Sequence, residues 1–131
     1  FWTEEKGEFH GEFVDFDPAF SWPKPTQRPH PPIILGGETD YTLKRVVDFC
    51  DGWLPRPRAN IEEGMTRLRR IAEAGGRDLS SISVTVFGAP PDKETLDSYA
   101  ELGINRALLR VPTEDRDTCL KLLDSYMPLL A

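Results

Sequence analysis

The sequence has little of several features on which particular functions depend. Basic residues are outnumbered, with 16 Lys and Arg against 22 Asp and Glu and a net charge of -6. This balance argues against nucleic acid as a partner, because phosphate binding needs a concentrated basic surface. No apolar run approaches the roughly 20 residues of a membrane span, so no membrane partner is expected. The first residues lack a basic start followed by an apolar stretch, so we predict a cytoplasmic protein without a signal peptide.

Side chains that commonly bind metals are also scarce. The chain contains two cysteines and two histidines. Cys50 and Cys119 fall among helical apolar positions, which is typical of buried, reduced thiols. His10 and His30 lie in a proline-rich segment and have no cysteine or carboxylate partner at ligand spacing. We therefore predict no metal site.

The first 32 residues differ in composition from the remainder and hold six of the twelve prolines. Because proline removes a backbone donor and fixes φ, most of this segment is predicted to be extended loop. Residues 1–6 are predicted to be the end of a helix that Gly7 terminates. Residues 11–16 alternate apolar and polar side chains, which predicts a short edge strand.

From Ile33 onward the chain repeats a strand–helix unit four times. Apolar runs predict strands at residues 33–37, 52–54, 82–87 and 107–111. Helices with apolar residues at three- and four-residue spacing follow each strand, and the last three have predicted N-caps at Asn60, Asp92 and Thr113. Such units form a parallel sheet with right-handed crossovers. Four of them are half of an eight-stranded TIM barrel, which takes about 250 residues; a small open α/β sheet is the alternative.

Three stretches carry a family resemblance. They are WPKPTQRPHPP running into IILGG at residues 22–37, FCDGWLP at residues 49–55, and GINR at residues 103–106. Each is weak alone, but their order and spacing across the chain resemble the bacterial luciferase-like monooxygenases, especially the coenzyme F420-dependent branch. The resemblance implies a (β/α)8 barrel in which these four strands are the fifth to the eighth. Residues 1–32 would then be the end of the fourth helix and the long insertion before the fifth strand.

The turn after the first predicted strand is the main candidate site. Glycines let the backbone approach an anion closely, and a helix N-terminus offers unpaired N–H groups. The resemblance implies that this turn holds the phosphate of F420 or FMN, with the cofactor-binding set Gly36, Gly37, Glu38, Thr39, Thr42 and Trp53. Glu38 is a departure, since a carboxylate beside a phosphate is unfavourable. The alternative is a plain strand-to-helix turn capped by Thr39.

The residues after the second predicted strand have two interpretations. Trp53 would wall the ring of a flavin-like cofactor, while Arg56 and Arg58 would meet an anionic small-molecule substrate. Alternatively, Trp53 packs inside the barrel and the arginines are solvated. The basic cluster at residues 67–70 lies on a predicted helix and is interpreted as a solvated charged face. No catalytic acid or base is assigned, because the cofactor would carry the hydride chemistry.

Half a barrel would leave two open sheet edges, near Ile34 and Leu109, which favour association. The missing half would belong to a longer polypeptide, or two copies would close one barrel about a two-fold axis. A third possibility is an open sheet with one edge covered by residues 1–32. We expect a homodimer or association with the missing half-barrel. The predicted function is an F420- or FMN-dependent oxidoreductase module. The alternatives are a non-catalytic binding module that self-associates and a small phosphate-binding protein unrelated to flavins.

Overall fold

The computed structural model describes residues 1–56 and 60–130, and the chain divides into two compact units, Phe1–Pro32 and Ile33–Ala131. The strands are β1 (Lys6–His10), β2 (Asp15–Phe20), β3 (Ile34–Gly36), β4 (Gly52–Leu54), β5 (Ser83–Ala89) and β6 (Arg106–Leu109). The helices are α1 (Asp40–Phe49), α2 (Ile61–Ala74), α3 (Lys93–Glu101) and α4 (Arg116–Tyr126). Short 3-10 helices cover Leu79–Ser81 and Met127–Leu130.

The first unit is a β-hairpin, which corrects two predictions. Residues 1–6 contain no helix: Gly7, expected to end one, lies within β1, and the Phe1 side chain covers it. The edge strand predicted at residues 11–16 is mostly the turn of the hairpin, closed by a 2.9 Å bond from Gly11 N to Val14 O. Residues 11–14 form a turn where a strand was predicted because Gly11, at the start of the alternating stretch, favours a turn between two strands. His10 also bonds to Asp15 across the hairpin at 2.6 Å, a carboxylate partner that spacing did not suggest.

The second unit contains the predicted four-stranded parallel sheet, in the order β3-β4-β5-β6. Neighbours in space are also neighbours in sequence. Residues of α1, α2 and α3 share one core with Trp53, Val84 and Val86, as right-handed crossovers in this strand order require. A doubly wound sheet would instead reverse its strand order and carry helices on both faces. The topology is therefore the singly wound type.

Burial differs sharply between the two faces of this sheet. Trp53, Val84 and Val86 point toward the helices and are at most 1% exposed, packed with apolar residues of α1 and α2. On the opposite face Phe87 and Leu108, partners in the β5–β6 register, are 55% and 38% exposed. The core therefore lies between sheet and helices, and the other face of the sheet is exposed at Phe87 and Leu108, although Thr85 on that face is 5% exposed.

Capping residues account for where the helices begin. The side chains of Thr39, Asn60 and Asp92 each accept a bond from the backbone N–H three residues later, as predicted for Asn60 and Asp92 and considered for Thr39. The cap predicted at Thr113 is wrong, because Asp115 caps α4 instead, accepting from Asp117 N and Thr118 N. A carboxylate near a helix N-terminus also interacts favourably with the helix dipole, which favours Asp115 over the hydroxyl.

Two residues of the family-like stretches have structural roles at the amino ends of the strands. Asp51 Oδ2 accepts from Ile33 N at 2.7 Å, and Asn105 Oδ1 accepts from Val84 N at 2.7 Å. Gly52 is required between β3 and β5, since a Cβ there would lie 2.5 Å from Ser83 Oγ. These residues fix strand register at the end of the sheet opposite the candidate site.

Two features are absent from the described ranges, a membrane-spanning helix and a cluster of metal ligands. Within residues 1–56 and 60–130 no helix is long and apolar enough to cross a membrane. Over the same ranges, no group of three His, Cys, Asp or Glu side chains is placed to hold a metal ion. Cys50 is buried and Cys119 half-buried, and both are free thiols. Burial raises the pKa of the Cys50 thiol, so it stays protonated near neutral pH.

Candidate functional site

The carboxyl ends of the parallel strands open into one cleft of about 690 Å³. In parallel α/β folds ligands bind at this end of the sheet, because the loops that follow the strands converge there. The residues after β3 and β4 contribute Glu38 and Arg56, and the first turns of α2 contribute Glu63 and Arg67. The cleft is therefore a charged pocket beside the β3–α1 turn.

The β3–α1 turn is built by glycine and threonine. Gly37 has φ +118, and a Cβ there would lie 3.0 Å from Thr42 Oγ1. Thr39 Oγ1 accepts from Thr42 N at 3.1 Å and lies 3.0 Å from Thr42 Oγ1. The N–H groups of Asp40 and Tyr41 stand in the first turn of α1, where no intrahelical acceptor exists. The turn therefore presents backbone donors and a pair of hydroxyls at a helix N-terminus.

Glu38 is neutralised by Arg56. Arg56 donates to the carboxylate through Nε at 3.0 Å, Nη2 at 2.7 Å and its backbone N at 3.2 Å. This bidentate pair holds the pKa of Glu38 below its ordinary value and raises that of Arg56. Arg56, predicted to be a substrate residue, is thus occupied on one edge by Glu38. Arg58 lies outside the described residues.

Asp40 is neutralised from α2. Arg67 Nε donates to Asp40 Oδ1 at 2.7 Å, and Arg70 Nη2 lies 3.4 Å from Asp40 Oδ2. The hydrogen bond from Arg67 is the main cause of a lowered pKa at Asp40. Arg67 also donates to Glu38 O at 2.9 Å. The solvated face predicted for residues 67–70 is therefore wrong for Arg67, which binds Asp40 and the β3–α1 turn, whereas Arg70 stays largely exposed.

Trp53 supports the turn from below. Its side chain is 1% exposed, and its indole N–H donates to Gly37 O at 2.7 Å. Gly64 of α2 leaves room for the ring, since a Cβ there would lie 2.5 Å from Trp53 Cη2. Of the two interpretations of Trp53, packing in the core agrees with this burial. Only a small part of the ring reaches the cleft wall.

The far wall of the cleft contains residues that the sequence did not single out. Phe87 and Gly88 lie at the end of β5, where the register with β6 shifts and Gly88 has φ +70. Arg110 directly follows β6 and also lines the cleft. A glycine inside an alternating strand is a known sign of a bulge. The rule of residues following each strand does not find Phe87 or Arg110, because both fall within the strands predicted at residues 82–87 and 107–111.

The predicted site residues thus fall into two adjoining groups. Glu38, Trp53 and Arg56 line the cleft together. Gly36, Gly37, Thr39 and Thr42 form the turn beside it, joined to the cleft wall by the Trp53–Gly37 and Arg56–Glu38 bonds. The arrangement suits an anion at the turn with its attached group extending into the cleft.

The fold and the site define a singly wound α/β protein with a ligand cleft at the carboxyl ends of its strands. The sequence profile of the luciferase-like monooxygenases matches residues 1–110. The chain therefore belongs to the luciferase-like monooxygenase family.

Curated relatives include an uncharacterized protein of Mycobacterium tuberculosis. It is 36% identical over 133 residues, which cover 99% of this chain and 46% of that protein. The FMNH2-dependent dimethylsulfone monooxygenase of Pseudomonas putida is 47% identical over 95 residues, covering 71% of this chain and 26% of that enzyme. The chain therefore spans less than half the length of these relatives.

Solved structures with a similar fold include two F420-dependent enzymes. An F420-dependent secondary alcohol dehydrogenase, in complex with an F420-acetone adduct, aligns with a TM-score of 0.66 at 14% identity, covering 99% of this chain and 58% of that one. The F420-dependent tetrahydromethanopterin reductase of Methanopyrus kandleri aligns with a TM-score of 0.51 at 21% identity, over 75% and 35% of the two chains. At these identities the likeness concerns the fold.

Proposed function

We propose that the chain is the C-terminal part of an F420- or FMN-dependent luciferase-like oxidoreductase and that its β3–α1 turn binds the cofactor phosphate. Family membership and the FMNH2-dependent relative support the reaction class. The observation that carries the phosphate site is the turn itself, where Gly37 at φ +118 brings the backbone and two threonine hydroxyls to the N-terminus of α1. When bound, the flavin or deazaflavin supplies the hydride chemistry.

The charges around the turn fit a phosphate. Glu38 and Asp40 would repel an anion if they stood alone. Each is paired, however, and the two carboxylates are contacted by three guanidinium groups, those of Arg56, Arg67 and Arg70. These five groups carry one net positive charge, to which the dipole of α1 adds, while Glu63 brings one negative charge to the cleft wall. The sequence alone made the Glu38 carboxylate unfavourable for phosphate binding, and its pairing with Arg56 offsets this effect.

Each residue of the turn has a proposed role. Gly36 and Gly37 leave space for a phosphate to approach the backbone, and Thr39 and Thr42 offer hydroxyls to its oxygens. Glu38 acts indirectly, by holding Arg56 at the edge of the cleft. Trp53 positions the turn through its bond to the Gly37 carbonyl and does not stack on the cofactor ring. Contact of Arg56 and Arg58 with an anionic substrate stays a prediction.

Replacing Gly37 by alanine tests the phosphate site. A Cβ at positive φ is strained and would displace the Thr42 hydroxyl. We expect Gly37→Ala to weaken binding of FMN or F420 about tenfold, the loss of one or two hydrogen bonds to a charged group. The measurement is a fluorescence titration of each cofactor against the full chain.

Gly76→Ala is the matched control. Gly76 also has positive φ, +67, but follows α2 at the other end of the sheet, and no atom lies within 4 Å of its would-be Cβ. We expect a similar loss of thermal stability and unchanged cofactor affinity. If Gly37→Ala and Gly76→Ala bind the cofactor with equal affinity, the β3–α1 turn is not part of the binding site.

We further propose that residues 33–131 form half of a (β/α)8 barrel and that residues 1–32 are the insertion before its fifth strand. The sequential strand order supports this, as do the shared core of α1, α2 and α3 and the coverage of 58% of the alcohol dehydrogenase chain. The other four strands would come from a longer polypeptide or from a second copy. The small-molecule substrate would then bind where the two halves meet.

The second candidate is a non-catalytic half-barrel that self-associates. It is favoured by the open face of the sheet, where Ile34 is 44% and Phe87 55% exposed. Light scattering of the 131-residue chain tests it: a homodimer supports self-association, whereas a stable monomer contradicts it.

A further inference from the structure

The cleft contains three arginines, and two of them are engaged by carboxylates. Arg56 is held by Glu38 and Arg67 by Asp40. For Arg110, no carboxylate within the described ranges lies within the 4.0 Å of an ion pair. An arginine that lines a cleft and keeps its donors available is suited to bind an anionic group of a ligand.

Arg110 is also fixed in place by its backbone. The Tyr126 hydroxyl of α4 donates to Arg110 O at 2.9 Å, which ties the residue after β6 to the last helix. The backbone from which the Arg110 side chain extends is therefore held in place at the carboxyl end of the sheet. Such preorganisation lowers the entropic cost of binding.

An exposed apolar surface lies next to Arg110. Phe87 is 55% exposed and lines the same cleft, and its register partner Leu108 is 38% exposed. Leu108 stands beside Phe87 in the β5–β6 register, and Arg110 lines the cleft together with Phe87. The exposed ring of Phe87 thus adjoins an aliphatic side chain and shares a cleft with a guanidinium.

The charge of Glu63 narrows the ligand class further. Its carboxylate lines the cleft from α2, and it would repel a second negative charge on the ligand. A ligand with one negative charge and an apolar body satisfies Phe87, Leu108 and Arg110 without that penalty.

We infer that Phe87, Leu108 and Arg110 form a substrate subsite for a small monoanionic ligand with an aromatic or aliphatic body, such as an organic carboxylate. This inference rests on the proposed function in one respect, namely that the cofactor occupies the β3–α1 turn and leaves this wall for the substrate. Arg110 binds the anionic group, and Phe87 covers the apolar part.

Benzoate and its neutral isostere benzamide are the probes. We expect the full chain to bind benzoate at least tenfold more tightly than benzamide, as measured by ligand-observed NMR titration. Arg110→Gln removes this preference, and Arg110→Lys restores part of it. Phe87→Ala weakens both probes by a similar factor. Arg69→Gln, an exposed arginine of α2 outside the cleft, is the matched control and behaves as wild type.

The outcomes separate this subsite from the cofactor proposal. Thermal unfolding shows whether each variant is folded, and FMN titration of Arg110→Gln is expected to match wild type. If FMN fails to bind wild type but the benzoate preference depends on Arg110, the subsite stands and the cofactor proposal fails. If benzamide binds as tightly as benzoate, or Arg110→Gln behaves like Arg69→Gln, the subsite is wrong.

Discussion

Trp53→Ala is expected to destabilise the protein by about 3–5 kcal/mol, the range for truncating a fully buried aromatic side chain. Trp53 is 1% exposed and is among the largest fully buried side chains of the core. Truncation leaves a cavity between β4 and α2 and also removes the bond to Gly37 O. Because small domains have about 5–15 kcal/mol of stability, this loss is a large fraction of the total. Urea unfolding followed by circular dichroism measures it.

Trp22→Ala is the control for the same change of side chain. Trp22 is 65% exposed, and its ring contacts Lys24 at the surface. Surface substitutions of this kind change stability by about 0.5 kcal/mol or less. Equal effects of the two substitutions would contradict the buried position of Trp53.

Gly64→Ala is expected to destabilise the protein by about 1–3 kcal/mol, the usual cost of overpacking a core. The sign of this change in the free energy of unfolding is informative, since replacing glycine by alanine inside a helix ordinarily stabilises a protein by about 1 kcal/mol. Here the new Cβ would lie 2.5 Å from Trp53 Cη2, and the buried ring has nowhere to move. Urea unfolding of Gly64→Ala against wild type gives the sign directly.

A double-mutant cycle identifies the cause. In a Trp53→Leu background the ring is gone, so Gly64→Ala is expected to cost little, and the two effects fall short of additivity by more than 1 kcal/mol. Strict additivity would show that Gly64 is required for another reason.

Much of the second unit was predictable, because its signals are local. Apolar spacing set the helix faces, and the residues before the first turns set their caps, as Asn60 and Asp92 show. The failures are also local. The cap of α4 lies two residues after the predicted Thr113, at Asp115, whose carboxylate also complements the helix dipole. Gly7 and Gly11 were assigned as the end of a helix and the start of a strand, yet both belong to one hairpin.

The candidate site was predicted less completely, because its contacts join distant residues. The Gly36–Gly37 turn was recognisable from the glycine pair and the threonines that follow. Glu38 is neutralised by Arg56, which lies 18 residues later in the sequence. Asp40 is contacted by Arg67, which lies 27 residues later. Only the packing of α1 against α2 and the β3–β4 register bring these charges together. From spacing alone, Glu38 therefore argued against a phosphate site, and Arg67 was expected to be solvated.

The most direct test of the phosphate site compares FMN with riboflavin, the same flavin without the phosphate. Flavin fluorescence titrated with the full chain gives both affinities, and F420 is compared in the same way with the deazaflavin that lacks the phosphate-bearing tail. We predict that the phosphate-bearing form of at least one pair binds tenfold or more tightly, with a difference that shrinks at high salt because ions screen the charge. Equal affinity within both pairs would contradict a phosphate site at the β3–α1 turn.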